Sequence, residues 1–282
     1  MGESIVIAEN VSKEYKGRRV LTDISFRIRR GEIFGIFGPE GSGKSVLARI
    51  LSALSRPSSG RVMVAGYDVI LYPRKVRSKV GIVLDIPTLD VEISGRENLR
   101  IYGALYGLSK NAINCKVDEL LEALKLKDVS DTPLKMSSNS TLKRFEIAKA
   151  LLHDPEVLII DDALSILDDY SKRIVWEYIS SIMDEKGITV ILATHSIDEA
   201  EKLCDRVAFL SEGRLRAIYS PKDLRKMIER AAQVKLEQLK AIKRNEILGF
   251  KTKKSLNILV TKIINLKLKL GTFKTSFRGK IG

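Results

Sequence analysis

The sequence predicts an α/β protein with a mainly parallel central sheet and an antiparallel β region at its N-terminal end. Three observations carry this expectation. Four short runs are largely apolar and do not alternate: Glu32–Phe37, Lys79–Leu84, Val157–Ile160 and Ile188–Thr194. Between them, apolar residues recur at helical spacing, first Val46, Leu47, Ile50, Leu51 and Leu54, then Ile174, Val175, Tyr178, Ile179, Ile182 and Met183. Strands without alternation, separated by helices, belong in a parallel sheet covered on both faces. The first 31 residues differ, because "GRRVLTDISFRIRRG" alternates as an antiparallel strand does.

Composition narrows the class. The chain has 282 residues, 44% hydrophobic and 30% charged, the profile of a soluble globular protein. No apolar run approaches the roughly 20 residues a membrane-spanning helix needs. "MGESIVIAEN" carries acids where a secretory signal is basic and then apolar, so no signal is expected. Cys115 and Cys204 are far apart and suit a reducing compartment, and two histidines make a poor metal site. A cytoplasmic location is expected. The net charge of +14 is concentrated at one end: residues 222–282 hold 17 Lys and Arg against 4 Asp and Glu. The shift falls at "SPKDL", which places a boundary between a body, 1–221, and a basic tail, 222–282.

The chemistry begins after the first buried run. "GPEGSGKS" comprises Gly38, Pro39, Glu40, Gly41, Ser42, Gly43, Lys44 and Ser45, and fits G-x-x-x-x-G-K-[ST] between a strand and a helix. Glycines let backbone amides wrap phosphate oxygens at a helix N-terminus. Lys44 brings a point charge to the β and γ phosphates, and Ser45 a hydroxyl to Mg²⁺. A P-loop of this kind needs a carboxylate at the end of a neighbouring parallel strand to hold the metal. "VLIIDDALSILDD" supplies Asp161 at that place, and Asp162 next to it to orient an attacking water. Beside a dication two adjacent acids no longer simply repel.

With these motifs the chain resembles the ATP-binding subunits of ABC transporters over residues 4 to about 220. Tyr15 in "VSKEYKGRRVLTDIS" matches the aromatic that stacks on adenine. "GIVLDIPTLDVEISGRENLRIYGALYGLS" is similar to the Q-loop region and helical subdomain, about 86–153, and in particular to the drug- and antibiotic-exporter subfamily. "MSSNSTLKRFEIAKALLHDPEVLIIDDALSILDD" resembles the signature helix, Walker B strand and D-loop, and "THS" matches the switch histidine. The resemblance implies a P-loop NTPase of ABC type that uses ATP and Mg²⁺. It implies catalytic roles for Asp162, His195 and Lys44, and metal contacts from Ser45, Asp161 and Asp85, the last at the Q-loop glutamine position. Ser138 is implied to cap ATP held by an opposite protomer. The partners implied are a membrane-spanning permease subunit and a second ATP-binding subunit, identical or different, at the inner face of the cell membrane.

The departures from the family pattern concern turnover. Ser137, Ser138, Asn139, Ser140 and Thr141 stand where L-S-G-G-Q is usual, so Asn139 and Ser140 bring Cβ atoms to a close-approach position that favours glycine. Asp162 replaces a glutamate and is one methylene shorter. Asp85 replaces the Q-loop glutamine, and Ala163 and Leu164 replace a proline and a threonine, while Ser165, Leu167 and Asp168 keep the D-loop pattern. A base must reach its water, so binding is expected to be sound and hydrolysis slow. The tail is read as an extension that is disordered or loosely helical, as a contact with an anionic membrane surface, or, less favoured with three aromatics for stacking, as a nucleic-acid binder. The rival function is a nucleotide-switched regulatory or nucleic-acid-associated protein of the same family that does not transport.

Overall fold

The computed structural model describes residues 3–230 and Gln233. Two strands open the chain, β1 (Ser4–Tyr15) and β2 (Arg18–Arg29), paired antiparallel across a turn at Lys16 and Gly17. Leu21, Ile24, Phe26 and Ile28 face inward along β2 while its arginines face solvent, the period of two that the sequence showed. The chain then forms β3 (Ile33–Phe37), α1 (Lys44–Leu51), β4 (Ser59–Val64), β5 (Tyr67–Asp68) and α2 (Pro73–Arg77). β4 and β5 join the opening hairpin in a four-stranded sheet ordered β2-β1-β4-β5.

After β6 (Val80–Val83) come three helices, α3 (Gly95–Leu105), α4 (Lys110–Ala123) and α5 (Asn139–Leu151). Then follow β7 (Val157–Asp161), α6 (Asp169–Lys186), β8 (Thr189–Thr194), α7 (Ile197–Leu203), β9 (Arg206–Ser211) and β10 (Arg214–Tyr219). The second sheet runs β10-β9-β3-β8-β7-β6, parallel except for the β9–β10 hairpin at its edge. All four apolar runs are strands of this sheet, three of them central (β3, β8 and β7) and one, β6, at its edge. One continuous core fills the space between the two sheets, drawing on Ile24, Phe26 and Val62 from one and Phe34, Ile36 and Ile159 from the other.

The helices start where capping residues dictate. Ser109, Ser138, Asp168 and Ser196 each accept a backbone N–H two or three residues into the following helix, and Ser94 and Glu97 form a reciprocal pair at the head of α3. Leu54 departs from its expected place on α1. The helix ends at Leu51, Ala53 turns left-handed (φ 54), and the Leu54 N–H returns to the Arg49 carbonyl, leaving that side chain half exposed. "YPRKVRSK" forms the short α2, whose basic residues face solvent over a buried Val76, and Trp176 sits half-buried beside the apolar stripe of α6. The compact body extends through Lys226, with Leu224 fully buried. Residues 231, 232 and 234–282, most of the basic tail, lie outside the described residues.

One contact fixes how the three-helix segment is assembled. Phe145 on α5 is fully buried, and a Cβ added at Gly95, the first residue of α3, would stand 2.2 Å from its ring. Gly95→Ala is therefore expected to overpack this crossing and cost about 1–3 kcal/mol. Denaturant midpoints check this, and Phe145→Leu in the same chain should recover part of the loss.

Candidate functional site

The register of the parallel sheet assembles the site. Phe37 lies opposite Thr194 across β3 and β8, and Asp161 opposite Ala193 across β7 and β8. Three strands thus end side by side, and the residues that follow, Gly38, Asp162 and His195, emerge at one edge. In an open parallel sheet the crevice beyond the carboxyl ends of the strands is where ligands bind.

The loop Gly38–Ser45 leads directly into α1. Gly43 occupies the position before the helix at φ 104, where an L side chain is strained and a Cβ would stand 2.6 Å from Leu21. Lys44 is buried, and its Nζ donates to the carbonyls of Gly38 (2.9 Å) and Pro39 (3.0 Å), lying across the loop. Burial lowers its pKa, against the raising influence of Asp162, Asp161 and Glu40. Pro39, Glu40 and Gly41 form the exposed rim.

Ser45 donates its hydroxyl to Asp161 Oδ1 at 3.0 Å. Asp161 is fully buried and its carboxyl pKa is pushed up to about 6, chiefly by burial, with the charges of Asp85 and Asp162 adding to it and the Ser45 bond opposing. Its other oxygen, Oδ2, is buried with no hydrogen-bond partner among the described residues, and so is Ser42 Oγ. An orphaned carboxylate oxygen beside a serine hydroxyl fits a divalent cation completed by phosphate oxygens, the way Mg²⁺ is usually held. It does not fit an all-protein cage, and among the described residues no cluster of three or more metal-binding side chains exists. Asp85 contributes charge at a distance: its Oδ1 accepts the Ile86 N–H at 2.9 Å and faces Arg49 at 3.8 Å.

Asp162 sits in the left-handed region (φ 51), its N–H donating to Ala193 O and its carbonyl accepting from Ser165. His195 Nδ1 lies 2.8 and 2.9 Å from the two Asp162 oxygens, so the acid and the histidine form a close pair at the mouth of the site. Tyr15 stands apart on the first sheet. Its ring is 45% exposed, with Lys13 Nζ 4.7 Å from the ring centre and its hydroxyl 3.4 Å from Ser55 Oγ.

Ser138 lies at the head of α5 and has no hydrogen bond to the Gly38–Ser45 loop among the described residues. Its hydroxyl accepts the Thr141 N–H at 3.1 Å and donates to Thr141 Oγ1 at 3.0 Å. Asn139 and Ser140 are the first residues of the helix itself, with negative φ, so their side chains bring no backbone strain within the chain. Ser140 instead accepts the Asp168 N–H at 3.4 Å.

Sequence reading missed the charged face of α5. Lys143, Arg144, Glu146 and Lys149 are all buried there, and Arg144 donates to the carbonyls of Leu124 and Lys125. Their signal was present: Lys143, Glu146 and Lys149 recur at every third position, with Arg144 beside them, in a helix that also carries Phe145, Ile147 and Ala148.

Residues 21–165, half of the chain, match the ABC transporter family. The chain belongs to that family. It is 38% identical over 204 residues to a Nod factor export ATP-binding protein I of Rhizobium johnstonii, covering 72% of this chain and 65% of that protein. It is 34% identical over 217 residues to a daunorubicin resistance ATP-binding protein of Streptomyces coeruleorubidus, covering 77% and 68%. The first of these relatives is thus spanned over somewhat less than two thirds of its length. In three dimensions the ABC transporter fold is shared with cbiO1 of Clostridium perfringens, part of the cbiONQ transporter complex. The TM-score is 0.70 at 28% identity over 86% of this chain and 99% of that one.

The raised Asp161 pKa has a signed consequence for this ABC domain. A carboxyl with a pKa of about 6 when folded and an ordinary value of 3.8 binds its proton more tightly in the native state. Its ionisation therefore destabilises the fold above about pH 6, a cost of about 3 kcal/mol that fades as pH falls toward 4. Asp161→Asn, free of nucleotide and metal, is expected to be more stable than the parent at pH 7–8, with the difference shrinking on acidification. Chemical denaturation across that range checks the sign.

Proposed function

We propose that the chain is an ATP-binding, weakly hydrolysing subunit that powers a separate membrane-spanning exporter. The observation that carries this reading is the convergence of Lys44, Ser45 and the orphaned Asp161 oxygen at the carboxyl end of the parallel sheet. The functions in the names of the two relatives, Nod factor export and daunorubicin resistance, support the exporter assignment.

Each residue's part follows from its position. Lys44, already stripped of water and surrounded by carbonyls, exchanges those carbonyls for β and γ phosphate oxygens. The backbone amides of Gly41, Ser42 and Gly43 wrap the same phosphates. Ser45 and Asp161 hold Mg²⁺, with Asp85 adding negative charge from the Arg49 side. Mg²⁺, when bound, neutralises charge on the phosphate oxygens. Tyr15 offers an exposed ring to adenine. Asp162 orients water and takes its proton, and His195, in contact with both Asp162 oxygens, holds that carboxylate and reaches toward the γ-phosphate.

Turnover is slow for two reasons. The Asp162 carboxylate is one methylene short of the usual base and is tied to His195, and a misplacement of about 1 Å costs on the order of 100-fold. Ser138, Asn139 and Ser140 are proposed to cap ATP of a second protomer, where the added side chains hinder close approach. The body of the domain is 1–221 with a helical subdomain at about 86–153, and the basic residues of 222–282 hold the protein at an anionic leaflet. The last of these rests on charge alone, each nearby Lys or Arg contributing about 1 kcal/mol. Removing residues 231–282 should reduce sedimentation with anionic vesicles at low salt and leave ATP binding unchanged.

Two experiments test the nucleotide site. Lys44→Ala should abolish stabilisation by Mg-ATP in a thermal shift, and an undiminished shift overturns the assignment. Asp162→Glu should raise steady-state hydrolysis by on the order of 10- to 100-fold as the carboxylate regains its reach. The rise should be larger when Asn139 and Ser140 are also glycine, because base and cap act on one phosphate.

A further inference from the structure

The segment from Leu84 to Leu89 joins the end of β6 to the three-helix region and carries Asp85 past the Ser45–Asp161 pair. It is held almost entirely by α5. Lys143, Glu146 and Lys149, spaced three residues apart, lie along one face of that helix and are all buried. Lys143 Nζ donates to the carbonyls of Leu84 (2.8 Å) and Asp85 (3.3 Å). The Glu146 carboxylate, 2% exposed, accepts the backbone N–H groups of Thr88 (2.5 Å) and Leu89 (3.0 Å) and the Thr88 hydroxyl. Lys149 pairs with Glu146 at 2.5 Å and also meets the Thr88 hydroxyl. Tyr102 on α3 closes the group by donating to the Thr88 carbonyl at 2.9 Å.

These contacts have two properties that simple packing lacks. They grip the segment by its backbone at both ends, so they set where residue 85 stands without engaging its side chain. They also place three charges in the interior, which costs desolvation that apolar residues of similar volume would avoid. The result is a fixed backbone position for Asp85, whose carboxylate lies 3.8 Å from Arg49 and near enough to Asp161 for the two charges to act on each other.

We propose that Glu146, with Lys143 and Lys149 beside it, is a positioning residue that sets Asp85 against the Ser45–Asp161 pair and thereby tunes the magnesium affinity of the nucleotide site. The inference rests on the reading of that pair as the Mg-ATP site. It also makes α5 a mechanical link: the helix begins at Ser138, proposed to meet a second protomer's nucleotide, and it carries the clamp on its own protomer's Asp85. Movement of α5 displaces Asp85 through the grip of the clamp.

The test is a Mg²⁺ titration of ATP-dependent thermal stabilisation in the full-length protein. Glu146→Gln should raise the Mg²⁺ concentration for half-maximal stabilisation by about 10-fold, the low end of what outer-sphere partners of a metal site contribute. Asp85→Asn should produce a similar shift, and the two together no more than either alone, because one acts through the other. Hydrogen exchange should show the Thr88 and Leu89 amides losing protection in Glu146→Gln. Since that variant leaves Lys149 buried and unpaired, Glu146→Gln with Lys149→Met decides the matter if the single variant does not fold. A lower melting temperature with an unchanged Mg²⁺ half-point overturns the proposal, as does full additivity with Asp85→Asn. If the parent protein shows no Mg-ATP stabilisation at all, the nucleotide-site reading fails and the clamp's function with it. A clear parental response with an unchanged half-point in the variants defeats the clamp alone.

Discussion

The hydrogen bond from Ser45 to Asp161 is the constraint on which the rest of the site depends. It ties the first turn of α1 to the last residue of β7, two elements that are over a hundred residues apart in the chain. Everything that defines the crevice hangs from those two ends. The Gly38–Ser45 loop is drawn down over the sheet, and Asp162 is delivered to its rim in a left-handed conformation. The bond also leaves a buried carboxylate with one oxygen satisfied and one not, an arrangement a fold tolerates where a ligand completes it.

Charge in the interior is managed differently in the two halves of the domain. At the carboxyl ends of the strands, Lys44, Asp161 and Asp162 face one another in a space open to a ligand, and burial pulls the first two away from their ordinary ionisation. Within the three-helix segment, Lys143, Glu146 and Lys149 form a closed network in which the carboxyl is held below its usual range. Burial raises its pKa, and the Lys149 charge together with bonds from Lys149 and Thr88 more than offsets that. The first group is incomplete and suits chemistry. The second is satisfied and suits position.

The residues at the head of α5 acquire contacts of their own. Ser140 bonds the Asp168 N–H, and its hydroxyl is the leading reason that the Asp168 carboxyl is held down at about 2. Glycine at that place offers no such hydroxyl. The head of α5 is thus joined to the head of α6, across the turn that carries Asp162. Asn139, Ser140 and Asp162 accordingly fall in one connected stretch of structure rather than at scattered points.

Much of this protein was determined by local sequence. The parallel strands were legible because a strand buried on both faces must be apolar along its length, and Val157–Ile160 and Val190–Ala193 are. The phosphate loop was legible because wrapping an anion with backbone requires glycine at particular steps, a demand that Gly43 meets at φ 104. The short strands Ser59–Val64, Tyr67–Asp68, Arg206–Ser211 and Arg214–Tyr219 were not legible, since their pairing comes from neighbours distant in the chain and their apolar content is modest. The His195–Asp162 pair and the clamp on residues 84–89 were decided by tertiary structure alone. A side chain's type states what it can bond, but which backbone it meets depends on the register of β7 and β8 and on where α5 crosses the end of β6.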